Sequence, residues 1–178
     1  MQICSDYKVT INPQLQTEEY PLPRIDDIFA TLAGGQKFTK IDLLKQAYHQ
    51  IEVEEESQED LIVNSHQGLY WYNRLVFGIT SAPAIWKRAK DQVLDGVEAT
   101  SCILDDMIVT GKDDREHLEH LEEVLRRTKE HGLRANREKC EFFQKKITYC
   151  GHLVGQGGLH KPQEKVDAVV NVPKSRER

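Results

Sequence analysis

The sequence predicts an α+β fold, an antiparallel sheet layered with helices, from three observations. Apolar residues recur at helical spacing in RIDDIFATLAGG and DREHLEHLEEVLRRTKEHG. They alternate, or form short apolar runs, in KFTKID, LIVNSHQGLYWYNRL and ATSCILDDMIVTG. The two kinds of segment mix without strict β-α-β alternation, which argues against a doubly wound parallel sheet. At 178 residues the chain suits one domain or two small lobes sharing a core.

Taken in order, Pro21 and Pro23 precede a helix whose Ile25, Ile28, Phe29 and Leu32 share a face and which Gly34 and Gly35 end. KFTKID reads as a strand running into Asp42, LLKQAYHQ as a short helix and IEVE as a strand. LIVNSHQGLYWYNRL reads as a hairpin turning at NSHQG. Ser81 is placed to cap a helix over SAPAIWKRAKDQVLDG, with Pro83 in its first turn. ATSCILDDMIVTG reads as two apolar strands meeting at a two-residue Asp105-Asp106 turn. Asp113 and Glu116 resemble a capping box for a helix that buries Leu118, Leu121 and Leu125 and stops at Gly132. ITYCGHLV reads as a last strand, GQGG as a turn and PQEKVDAVV as a short terminal helix.

Composition excludes some classes. No stretch approaches the roughly 20 apolar residues that span a bilayer. The start, MQICSDYKVT, lacks the order of a secretory signal. An intracellular protein, in cytoplasm or nucleus and off the membrane, is expected. Cys4, Cys102, Cys140 and Cys150 form no C-x-x-C pair. Reduced thiols are expected, with a zinc site near Cys150, His152 and His160 as the alternative. The net charge of −5 is unevenly spread. Residues 52–60 carry six acids and no base, whereas 126–146 carry eight basic residues against three acids. That basic stretch is either a phosphate-binding patch or an ordinary solvated surface.

The residues richest in chemistry are acidic. Asp105 and Asp106 sit at the tip of an apolar hairpin, and Asp42 ends another strand-like run. Three carboxylates delivered by buried strands to one sheet edge suit hard divalent cations, which take oxygen ligands. Two such ions roughly 3.5–4 Å apart suit in-line phosphoryl transfer. The plainer alternatives are that Asp105 and Asp106 are ordinary turn residues and that Asp42 caps a helix.

Seven blocks, YPLPRIDDIFATLAGGQKFTKID, AYHQI, GLYWYNRLVFGITSAPAIW, ILDDMIVTGK, EHLEHLEEVL, KCEFFQ and YCGHLV, occur in an order that resembles the reverse transcriptases of gypsy-type LTR retrotransposons. The resemblance implies a right-hand polymerase palm with partial fingers. Residues 1–17 and 51–80 would belong to the fingers, 18–50 and 81–154 to the palm, and 155–178 to its end and the start of the thumb. It implies an RNA-directed DNA polymerase that adds dNTPs to a DNA primer on an RNA or DNA template. Asp42, Asp105 and Asp106 would be the catalytic residues holding two Mg²⁺, or Mn²⁺ in their place. Leu43, Leu44, Tyr48, Phe77 and Gly78 would line the nucleotide site, with Tyr48 as the aromatic gate against the 2′-hydroxyl. Ile103, Ser81, Pro83, Tyr149, Gly151 and His152 would touch template or primer, and Lys8 matches a basic fingers position.

The sequence departs from that pattern at several positions. Ile103 stands where the family has tyrosine, Val76 where proline is usual, and Met1 and Gln2 where an aromatic residue and arginine are usual. One residue is extra between Asp42 and Tyr48, enough to rotate a helix by about 100°. The resemblance also lacks an upstream fingers strand and most of a thumb. A fragment or decayed copy is therefore expected, with primer–template binding alone, or no function, as the alternatives to polymerisation.

Overall fold

The structure is a computed structural model that describes residues 6–15, 20–21, 23–44, 48–103 and 105–160. Helix α1, Ile25–Thr31, buries Ile28, and Leu32 just beyond it is buried too. Strand β1 is Lys37–Asp42, the whole KFTKID run. After a short helix α2, Glu55–Gln58, the strands β2, Ile62–Ser65, and β3, Gly68–Trp71, form a separate hairpin. Helix α3, Ala82–Leu94, leads into β4, Thr100–Ile103, and β5, Asp106–Gly111. Helix α4, Asp114–Glu130, is followed by β6, Glu141–Gln144. The strands β7, Lys146–Tyr149, β8, His152–Gly155, and β9, Gly158–His160, make a third sheet.

The main sheet has the order β4-β5-β1-β6, and every neighbouring pair is antiparallel. Its central strands are covered on both sides, so they read as apolar runs rather than alternating patterns. On one face Ile41, Cys102, Met107 and Val109 pack against Trp86, Val93 and Leu94 of α3 and Leu121 and Val124 of α4. On the other, Phe38 and Ile108 pack against Ile28, Leu32, Ile147, Tyr149 and Val154. Each fully buried side chain of this size contributes about 1.5–3 kcal/mol. A third cluster is formed by Tyr7, Leu61, Leu75, Val76, Ile79 and Ala82.

Several expectations require correction. Helix α4 buries His117, Leu121, Val124 and Thr128, while Leu118 and Leu125 remain 52% and 41% exposed. Its rotation is set by long-range contacts. Gly111 at the end of β5 lies so close that an added Cβ would sit 2.4 Å from the His117 nitrogen. The His117 Nε2 also hydrogen-bonds Thr39 Oγ1 of β1 at 2.8 Å. At the start of α4, Asp113 accepts from the Glu116 N–H at 2.8 Å as the capping motif predicts, but the Glu116 carboxylate accepts from Lys112 instead of the cap residue.

Ser81 stands at the N-cap of α3 without a side-chain cap bond, and its backbone is already helical rather than extended. Residues 51–53 bridge irregularly to 73–75 and form no strand. Of LLKQAYHQ, the described part ends in a 3₁₀ turn, Tyr48–Gln50, and residues 45–47 lie outside the described ones. ITYCGHLV is two strands. Cys150 and Gly151 both have positive φ, 51° and 71°, which fits the two-residue turn that reverses a hairpin. The terminal helix expected at 162–170 lies outside the described residues, as do Met1, Gln2 and Cys4. Among the described residues no helix is long and apolar enough to cross a membrane.

Candidate active site

Asp42 and Asp106 are paired at one end of the main sheet, with Asp105 in the adjoining turn, in a register one residue away from the expected one. Ile103 pairs with Asp106, so Asp105 occupies the turn and Asp106 opens the return strand. Long-range packing selects this register, because Cys102, Met107 and Ile41 then fall in one row against α3. Asp106 is thereby directly opposite Asp42. Residues paired this way project from the same face with Cβ atoms about 4.5–5.5 Å apart. The turn is tied to the end of β1, since the Leu43 N–H donates to the Asp105 carbonyl at 3.0 Å.

Burial raises the Asp106 carboxyl above its ordinary value; Lys40 lowers it again, and the charges of Asp42 and Asp105 push it up. Asp42 Oδ1 is buried with no hydrogen-bond partner. Its other oxygen lies 3.6 Å from Lys139 Nζ. An orphaned carboxylate oxygen beside a like-charged neighbour fits a hard cation. Among the described residues no three His, Cys, Asp or Glu side chains form a ready-made metal cluster. This leaves the zinc alternative at Cys150, His152 and His160 without support.

Asp105 is turned toward α3. Its Oδ1 accepts from the Trp86 indole N–H at 3.2 Å. Burial raises the Tyr48 phenol above its ordinary value, and the Asp105 charge raises it further. The Tyr48 ring sits 4.9 Å from that of Phe77, and His49 meets the same ring at 5.5 Å. Leu43 is buried in the core and Leu44 is half-buried, its N–H bonded to the Arg134 carbonyl.

The remaining expected residues surround this corner unequally. The Gly78 carbonyl accepts from the Asn12 side chain at 2.8 Å, and Asn12 Oδ1 accepts from the Thr80 N–H at 3.0 Å. Ser81 is buried, with its hydroxyl lacking a partner, and Pro83 is exposed. Tyr149 is buried too. Its hydroxyl accepts from the Ile103 N–H and donates to the Asp106 carbonyl, both at 3.0 Å, so its ring braces the hairpin rather than facing outward. Gly151 and His152 are half-buried, and the His152 ring packs edge-on to Phe29 at 5.3 Å. Lys8 is exposed. In the basic stretch, Arg126 pairs with Glu123 and Glu130, and Arg127 with Glu123, so the charge of these two is matched locally. Sequence reasoning missed Trp86, Asn12 and Lys139, whose partners lie 19, 66 and 97 residues away with no local pattern to mark them.

Comparison with known proteins follows the same line. A family model described as reverse transcriptase (RNA-dependent DNA polymerase) matches residues 2–154. An uncharacterized protein of Caenorhabditis elegans is 36% identical over 95% of this chain. The retrovirus-related Pol polyprotein from transposon 412 of Drosophila melanogaster is 35% identical over 97%. The chain spans only 13% and 14% of the lengths of these two relatives. Among solved structures, the fold resembles a foamy viral protease-reverse transcriptase in complex with double-stranded DNA. The TM-score is 0.82 at 20% identity, covering 98% of this chain and 31% of that one. The foamy viral protease-reverse transcriptase in complex with an RNA/DNA hybrid gives 0.78 at 21% identity, covering 96% and 23%.

Proposed function

The chain belongs to the reverse transcriptase (RNA-dependent DNA polymerase) family, and from that premise we propose that it is the palm and part of the fingers of an RNA-directed DNA polymerase. Its substrates would be dNTPs, a DNA primer and an RNA or DNA template. The observation that carries this reading is the pairing of Asp42 with Asp106 beside the Asp105 turn, with a buried, unbonded oxygen on Asp42.

Asp42 and Asp106 would hold Mg²⁺ or Mn²⁺, with Asp105 contributing its oxygen not engaged by Trp86. When bound, two such ions supply charge neutralisation for the attacking 3′-oxygen and the leaving pyrophosphate. The protein's part is positioning. Hydrogen bonds from Leu43 to the Asp105 carbonyl and from Asn136 to the Asp42 carbonyl fix the two strand ends against each other. The Tyr48 ring, backed by Phe77, supplies an apolar surface for the sugar and excludes a 2′-hydroxyl. The Asn12 clamp on the Gly78–Thr80 loop holds the neighbouring wall. The apolar cluster joining Tyr7 to Leu61, Leu75, Val76 and Ile79 supports assigning 1–17 and 51–80 to the fingers. Residues 18–50 and 81–154 would then be palm, and 155–178 its end and the start of the thumb.

Primer extension on an RNA template with Mg²⁺ and dNTPs, beside Asp105→Ala, tests the reading. Removing one metal-holding carboxylate should lower incorporation by at least about a hundredfold. Equal incorporation by the two proteins defeats the catalytic assignment.

A further inference from the structure

We infer that Trp86 is a positioning residue for Asp105: its indole N–H fixes one carboxylate oxygen and so presents the other to the cation. This rests on the reading of Asp105 as a metal-holding carboxylate. Asp105 is the most exposed of the three acids and sits on a turn, where an unrestrained side chain samples several rotamers. Trp86 is the opposite case. It is 4% exposed, locked between α3 and the sheet in the same core as Cys102, Met107 and Ile41.

Its donor bond to Asp105 Oδ1, at 3.2 Å, therefore ties an exposed turn residue to the core. An indole N–H is a donor only, so Trp86 meets Asp105 in a single bond sense, N–H to carboxylate oxygen. The ring is itself held from below. The Lys90 side chain is 1% exposed, and its ammonium lies 5.2 Å from the Trp86 ring centroid. A cation over an indole face is attracted to it, which resists tilting of the ring. Sites of this kind tolerate only about 0.5 Å of misplacement, so a partner that sets one oxygen also sets the metal.

The test uses the full chain and Mn²⁺ alone as probe, with free Mn²⁺ read by electron paramagnetic resonance. Trp86→Phe keeps the ring and removes the N–H, and should weaken Mn²⁺ binding about tenfold, the usual effect of losing a partner that orients a ligand. Trp86→His restores a donor and should recover part of it. The Mg²⁺ concentration for half-maximal primer extension should rise by a similar factor while the rate at saturating Mg²⁺ persists. The chain has two tryptophans, so Trp71→Phe leaves Trp86 as the sole tryptophan, excited selectively at the red edge of its absorption. In that background Mn²⁺ should quench its fluorescence, and Asp105→Ala should abolish the quenching. This arm keeps the native indole and decides the matter even if Trp86→Phe fails to fold. Wild-type Mn²⁺ affinity in Trp86→Phe with weakened binding in Asp105→Ala, or Trp86 emission indifferent to Mn²⁺, overturns the inference. Mn²⁺ binding unaffected by both Asp105→Ala and Asp42→Ala instead overturns the metal reading beneath it.

Discussion

Replacing Asp106 with asparagine should stabilise the fold while impairing its chemistry. Asp106 is desolvated and directly opposite Asp42, which has a buried oxygen without a partner. Two like charges about 5 Å apart repel by about 3 kcal/mol at an effective dielectric constant of about 20. Lys40 and Lys139 offset part of this, since both lower the Asp106 carboxyl toward its ordinary value. A net gain of about 1–2 kcal/mol remains for an amide of the same shape. For a chain of this size that raises the melting temperature by about 3–6 °C. Urea and thermal melts at pH 7.5 in EDTA measure it. A second arm adds saturating Mn²⁺, which should raise the melting temperature of the wild type more than that of Asp106→Asn, because a ligand stabilises only the state that binds it. Loss of stability in EDTA would refute the electrostatic account of the paired acids.

Two further outcomes follow from buried polar contacts. His117 is fully buried against Thr39, and burial, then the nearby His120, hold its imidazole below the ordinary 6.5. The unfolded chain takes up this proton first, so the stability it contributes is complete above about pH 6.5 and is lost as pH falls below that value. His117→Gln should flatten the decline in urea midpoint between pH 7.5 and 5.5, and an unchanged slope counts against the assignment. Tyr149→Phe removes an acceptor for the Ile103 N–H and a donor to the Asp106 carbonyl. It should cost about 2–3 kcal/mol, read from urea unfolding, and a change under about 0.5 kcal/mol would show that the phenol does not brace the hairpin.

Local patterns made much of the fold legible. The apolar spacing of Ile28 and Leu32 placed α1, the KFTKID run coincides with β1, and the Asp113–Glu116 spacing marked the start of α4. The acids at Asp42, Asp105 and Asp106 were legible for the same reason, because each follows or interrupts a short apolar run. What local pattern could not settle was register and rotation. The hairpin turn falls one residue earlier than the Asp-Asp pair invites, and Leu118 and Leu125 face solvent where a helical stripe could have included them. The Cys150–Gly151 reversal was hidden because both flanking strands are apolar and short.

By itself, then, the order of residues determined most of the longer helices and strands, which family the chain resembles, and which carboxylates are available. Periodicity and turn chemistry act over a few residues, so a single chain displays them openly. Tertiary structure alone decided that Asp106 faces Asp42, that Trp86 holds Asp105, that Lys139 approaches Asp42, and that Arg126 and Arg127 spend their charge on Glu123 and Glu130. Those choices depend on which buried rows pack best between α3, α4 and the sheet. A packing energy summed over residues far apart in sequence leaves no trace in any short window of it.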